Sequence, residues 1–311
     1  TSGSKIAVPF EALGSKADLI LLSPYGIETS QGFSANNINQ LTLTTADKLN
    51  IGSSLFDINN TTIEQAGNMN DAIDRTTLPS NVAQGTDINF AGNLSIDSDL
   101  FVTSEKITIE NNATVQTSNS LAIDGRLRVD NSSIQAQEVA LNGLGAKGSE
   151  GVPNSVGVWI GNNSEIQTVG PLSITGSSAN TVKNTTTDVE HARGIEIHSS
   201  DLKSSRGMIT LNGTGGSGNQ VKESHGIKIW RESSIRGPRI KLTGIGGKAT
   251  DVSAPNSPSL EMYNDYDQIY GNSYYNSGIL IEEGSKIVSN PANIEYGSSI
   301  VLGDSINNNG N

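Results

Sequence analysis

Apolar residues in the second half of the chain recur in a fixed pattern. Four segments open with Gly, a β-branched residue, any residue and Ile: Gly157-Val158-Trp159-Ile160, Gly194-Ile195-Glu196-Ile197, Gly226-Ile227-Lys228-Ile229 and Gly278-Ile279-Leu280-Ile281. Each is followed by a Ser and then a lone apolar residue, Ile166, Leu202, Ile235 or Ile287. The first three continue with an alternating pair, Leu172 and Ile174, Ile209 and Leu211, Ile240 and Leu242. Spacing of two with polar residues between is the period of a half-buried strand. Each repeat therefore predicts three short strands, joined by Gly, Asn and Ser clusters in which left-handed backbone angles are accessible. The same grammar runs upstream through Leu127, Val129, Ile134, Val139 and Leu141, then Ile107, Ile109, Val115, Leu121 and Ile123, then Leu94, Ile96 and Leu100.

One such unit contributes only one or two inward side chains per strand and cannot bury its own apolar face. Stacked copies can, with rungs about 4.8 Å apart. That stacking puts Val158, Ile195, Ile227 and Ile279 in one inward column. The expected fold is all-β, a right-handed parallel β-helix (β-solenoid) with three short strands per rung and loop insertions along one edge. Residues 1–59 read as irregular N-terminal rungs, with Leu19, Leu21, Ile27, Leu41, Leu43, Leu49 and Ile51 as their apolar positions. Residues 60–86 break the pattern: Ile63, Ala66 and Ile73 fall at helical spacing and predict a helix or loop excursion. Residues 87–311 read as the regular solenoid. Its insertions, 142–156, 175–193, 212–225 and 243–277, all leave from the same point of the repeat, so stacking lines them along one edge, often the binding face of a solenoid.

Candidate chemistry follows from the alternation. With Val158 and Ile160 inward, Trp159 points outward, and Trp230 does the same after Ile229. Stacking builds one outer column from Arg128, Trp159, Glu196, Lys228 and Leu280, beside a second from Asp130, Gly161, His198, Trp230 and Glu282. Indoles beside Glu, Lys and His suit a sugar ring and its hydroxyls, unless the insertion loops cover them. The longest insertion holds Tyr263, Tyr266, Tyr270, Tyr274 and Tyr275, five of the chain's seven tyrosines, whose flat amphipathic rings suit recognition of sugars or protein surfaces. The same loop read structurally is a cover packed on the solenoid flank. A polysaccharide-degrading enzyme would need two carboxylates at catalytic spacing. Glu196 and Glu282 lie in neighbouring columns with Lys228 and Trp230 between them, which is wide for such a pair.

Composition narrows the field further. The 311 residues contain no Cys, which removes disulfides, thiolate metal sites and cysteine nucleophiles. A net charge of −12 disfavours phosphate backbones, so no nucleic-acid partner is expected. The longest apolar stretch, Leu19 to Leu22, is far short of the roughly 20 residues that span a bilayer, so no membrane insertion is expected. Gly213 to Asn219 superficially resembles a calcium-binding nonapeptide but lacks the ligating Asp, and His191, His198 and His225 are not at ligand spacing. No cofactor or metal is implied. Only 34% of residues are hydrophobic, which suits a core one or two side chains wide.

The run Gly226-Ile227-Lys228-Ile229, Ser234-Ile235, Gly237-Pro238-Arg239-Ile240-Lys241-Leu242-Thr243-Gly244-Ile245-Gly246-Gly247 resembles the repeats of large bacterial exoproteins of the filamentous haemagglutinin type, exported by two-partner secretion. Ala91-Gly92-Asn93-Leu94-Ser95-Ile96 and Leu41-Thr42-Leu43-Thr44 look similar to rungs of those adhesins. The resemblance implies export across the envelope to an extracellular or cell-surface location, and a non-catalytic rod with adhesive or structural work. The expected partner is a surface glycan or protein, with end-to-end self-association as a further possibility. A self-assembling filament and a polysaccharide-degrading β-helix enzyme are the alternative readings.

Overall fold

A computed structural model describes residues 3–51, 53–68, 86–145, 155–178, 192–217, 224–247, 260–262, 278–282, 284–289 and 299–304. Strand is the dominant structure of these residues and helix is almost absent; the strands form one 17-stranded and one nine-stranded sheet that both pair in parallel, plus an isolated hairpin. The all-β, parallel-sheet class expected from the alternation is what the chain adopts. The tyrosine insertion, from Tyr263 to Tyr275, lies outside the described residues, as do His191 and Asn219.

Strands of successive repeats pair in register. Val158 faces Ile195, Ile195 faces Ile227 and Ile227 faces Ile279, with Leu127, Ile107 and Ile88 continuing the column upstream. The nine-stranded sheet carries the middle strand of each repeat, where Leu94, Val115, Ile134, Ile166, Leu202, Ile235 and Ile287 align. Third strands align Val139, Leu172, Ile209 and Ile240. These columns meet in a single apolar cluster. Most of its Ile, Leu and Val side chains are wholly shielded from water, each stabilising the fold by about 1.5–3 kcal/mol.

Of the three corners in a repeat, the two that flank the first strand differ in chemistry. Between first and middle strands the backbone enters the left-handed region at Asn131, Asn162, Asn163 and Ser199, and at Arg231 and Glu232. A buried serine follows each time and links one repeat to the next. The Ser132, Ser164 and Ser200 backbone N–H groups donate to the hydroxyls of Ser164, Ser200 and Ser233, at 3.2–3.3 Å. Those hydroxyls donate back to the carbonyls of Gly161, His198 and Trp230. Asn, more than Gly, therefore makes this corner, because its short polar side chain tolerates a left-handed backbone.

Glycine serves the other corner, where third strand passes to the next first strand. In two repeats this passage is nearly direct: Asp99–Ile109 and Ser120–Asp130 are each one bent strand serving both columns, the second bending at Gly125 (φ +143°). Elsewhere an insertion intervenes and its ends are pinched together by glycine pairs. A Cβ on Gly194 would stand 2.5 Å from the Gly176 carbonyl oxygen, and one on Gly226 2.6 Å from that of Gly213. Third strands run a few residues further than the apolar pattern shows, to Leu144, Ser177, Thr214 and Ile245, because the Asn/Thr-Gly pairs continue the backbone ladder without apolar side chains.

The first excursion uses the same corner. Third-strand pairing ends at Thr44 and first-strand pairing resumes at Asp87, and Ser104 ties the two ends by bonding the Thr45 hydroxyl and the Thr86 carbonyl. The excursion therefore begins near residue 45, not residue 60. Leu49 and Ile51 belong to an antiparallel hairpin, Lys48–Ile51 with Ser54–Asp57, and not to a rung. Among the described residues the helical spacing after residue 60 coincides with a short helix, Ile63–Gly67, with a Thr62/Gln65 capping box, while Ile73 lies outside them. No described helix is long and apolar enough to cross a membrane. At the far end, Leu260–Met262 returns from the last insertion and pairs in parallel on the open side of Ile279–Ile281, covering the edge of the first-strand column.

Replacing Gly194 by Ala tests the pinch. The new methyl would meet backbone atoms of Gly176, Thr214 and Gly226 at once, and we expect a loss of about 3 kcal/mol or more in urea unfolding. An unchanged midpoint would show that the corner can open without cost.

Candidate binding groove

The outer columns expected from alternation are present in register: Arg128 faces Trp159, Trp159 faces Glu196, Glu196 faces Lys228, and Lys228 faces Leu280. Asp130, Gly161, His198 and Trp230 form the second column. Between these columns and the segments returning from the insertions lies a groove of about 490 Å³, lined by Trp159, Trp230, Glu196, Lys228, Arg128, Arg126, Lys106, Leu127, Val156 and Arg193. Trp159, Trp230, Glu196 and Lys228 are thus brought to one place. For the five insertion tyrosines no placement is described.

Outward does not mean solvated here. Glu196 and Lys228 are only 5% and 7% exposed, while the two tryptophans are half-buried. Arg193, in the segment returning from the 179–191 insertion, is itself buried and pairs with Glu196 at 2.8 Å. The other Glu196 oxygen accepts from the Trp230 indole N–H at 3.1 Å. Glu196 is therefore a positioning group: one carboxylate fixes an insertion arm and an indole together. Lys228 pairs with Glu282 at 3.3 Å and sits 4.7 Å from the Trp230 ring centre. Both acidic candidates for hydrolytic chemistry are thus held in ion pairs.

The aromatic rings form a row. His198 stacks on Trp230 with centroids 4.8 Å apart, and Trp159 lies 6.2 Å from His198. Gly161 makes room for the Trp159 indole, since a Cβ there would collide with its six-membered ring. Exposed cations lie on the indoles: the Arg128 guanidinium 4.0 Å from the Trp159 centre and that of Arg231 4.3 Å from Trp230. Arg231 also meets His198 Nε2 at 3.0 Å, which requires that nitrogen to accept, because a guanidinium only donates. Cation–π contacts of exposed groups are worth about 0.5–1 kcal/mol, so a flat ligand can displace them.

Arg193, Arg126, Lys106 and Arg231 escaped the sequence reading. Arg193 lies outside any strand, so alternation is silent about it. Arg126 and Lys106 do obey the stacking rule, facing one another in register, but they sit upstream of the repeats that carry the tryptophans. Arg231 occupies a left-handed turn position that Asn131, Asn162 and Ser199 fill in the preceding repeats. Comparison with family models, curated proteins and solved structures returns no match to this chain.

Two predictions follow from these pairings. Glu196→Gln keeps an acceptor for Trp230 but removes the carboxylate charge paired with buried Arg193, and urea unfolding is expected to show a loss of about 3 kcal/mol; a change below a few tenths would mean that the Glu196 charge is not needed to hold Arg193. At Asp130 burial raises the carboxyl, but hydrogen bonds from Arg128 and Asn162 and the Arg128 charge outweigh it, holding the group below its usual 3.8. Because the folded value is the lower one, this stabilisation is complete above about pH 5 and disappears as pH falls through the folded value. The stability difference between the natural chain and Asp130→Asn should be flat from neutral pH to about pH 5 and shrink in more acid solution, read from denaturation midpoints.

Proposed function

We propose that this chain is a right-handed parallel β-solenoid segment of a secreted or cell-surface bacterial exoprotein, non-catalytic, that binds a surface glycan through the groove beside its insertions. The in-register repeat of three strands supports the solenoid, and the right-handed sense follows the strong rule for parallel crossovers. The observation that carries the binding reading is the Trp159–His198–Trp230 row, fixed on a rigid sheet and flanked by donors and acceptors. Flat aromatic rings with convergent polar groups match the alternating apolar faces and hydroxyls of a sugar. The resemblance to filamentous haemagglutinin repeats supports the location and the absence of an enzymatic role, as does the engagement of Glu196 and Glu282 in ion pairs.

A glycan array tests the reading. The natural chain should bind a defined set of glycans, and Trp159→Ala and Trp230→Ala should each weaken that binding by roughly tenfold or more, as loss of an aromatic platform typically does. A variant lacking residues 261–276 should lose affinity if the tyrosines share the ligand. Binding of no glycan by the natural chain, or unchanged binding in both tryptophan variants, overturns the proposal.

A further inference from the structure

The groove inverts the charge of the molecule. In a chain of net charge −12, five of the 20 Lys and Arg residues line it, Lys106, Arg126, Arg128, Arg193 and Lys228, against a single lining carboxylate, Glu196. We infer that the ligand is an oligosaccharide carrying carboxylate groups, a uronic-acid or sialic-acid type of sugar; this rests on the saccharide reading above and adds the charge of its ligand.

Four of the five cations already have a carboxylate: Lys106 with Asp87 at 2.7 Å, Arg128 with Asp130 at 2.6 Å, Arg193 with Glu196 and Lys228 with Glu282. Arg126, half-buried in the groove wall, has no hydrogen bond or ion pair among the described residues. Its guanidinium presents a planar donor fork that matches a carboxylate with two parallel hydrogen bonds. The low-dielectric walls of a cleft lined by one sign of charge strengthen that attraction. The cations on the indoles act in the same sense. A neutral sugar that displaces Arg128 from Trp159 or Arg231 from Trp230 gains the ring and loses the cation–π contact. An acidic sugar gains the ring and keeps the displaced cation as a partner for its carboxylate.

Spacing selects isolated charges over a dense polyanion. From Arg128 to Lys228 the column climbs three ladder steps, about 14 Å at 4.8 Å each, the length of a short oligosaccharide. One cation without a protein partner over that length suits sparse carboxylates. A phosphodiester strand places a charge at every link and would also meet Asp87, Asp130 and Glu282 at the groove's margins.

The test pairs acidic oligosaccharides with their carboxyl-reduced neutral forms, which differ in nothing else. Uronic-acid and sialic-acid glycans, the reduced form of each, sulfated oligosaccharides of equal length and a single-stranded oligonucleotide are titrated against the full chain. The expected result is an acidic glycan bound roughly tenfold or more tighter than its reduced form at low salt, with the preference falling as salt is raised. Arg126→Gln should erase most of the difference between the two forms and Arg126→Lys should restore part of it, with thermal midpoints certifying that both variants fold. Equal affinity for acidic and reduced forms overturns the inference and leaves saccharide binding standing. So does a preference that survives Arg126→Gln, or tighter binding of sulfated glycans or of the oligonucleotide. Binding of no glycan, acidic or neutral, overturns both.

Discussion

Where the third strand of one repeat meets the first strand of the next, glycine faces glycine with backbone against backbone. Gly176 and Gly194, and Gly213 and Gly226, approach so closely that neither can carry a side chain. This contact makes the length of the chain between them irrelevant to the core. The passage ranges from Gly125 alone to the whole stretch between Ile245 and Gly278, yet Gly143, Gly176, Gly213 and Gly244 stay in one ladder. Loop entropy grows only slowly with length, so a pinched corner can hold a long insertion at little thermodynamic cost. Core and surface are thereby separated: the inward columns set the rise, and the corner determines only where variable chain emerges.

That separation explains what could be read from sequence. Inward columns depend on alternation alone, and so do the outward neighbours Arg128, Trp159, Glu196 and Lys228, whose order matches the observed register. Burial of the outward face depends on where the insertions return, which alternation does not encode. Arg193 therefore changes Glu196 from a solvent-facing acid into a buried brace. Leu49 and Ile51 mark a second limit. Alternation has the same period in a parallel rung and in an antiparallel hairpin, and only the pairing of Leu49 with Phe56 and Ile51 with Ser54 separates them.

Buried ion pairs here serve geometry more than stability. Removing Arg193 and Glu196 from water costs much of what their attraction returns, and a packed apolar pair would hold the fold as well. What an apolar pair could not do is accept the Trp230 N–H while tying down an insertion arm. Lys228 likewise joins Glu282 of the next repeat to the Trp230 face. Charged groups that orient aromatic rings in advance reduce the entropy lost when a ligand arrives.

Strain at the first corner points the same way. Repeats further upstream place Asn at the left-handed positions, where the conformation is inexpensive, and the adjacent one places Ser199, but the repeat bearing Trp230 places Arg231 and Glu232 there, at φ +52° and +59°. A non-glycine residue pays roughly 1–2 kcal/mol for that backbone. The return is positional: Arg231 leaves the turn aimed at Trp230 and His198, where an Asn side chain would be too short to reach the ring. Beneath it, Ser233 is fully buried and locks the turn by donating to the Trp230 carbonyl and accepting from Ser200. The aromatic row is therefore anchored through the same serine ladder that joins the repeats. At this corner the left-handed Arg231 puts a cation on an indole, so the strain there serves the groove.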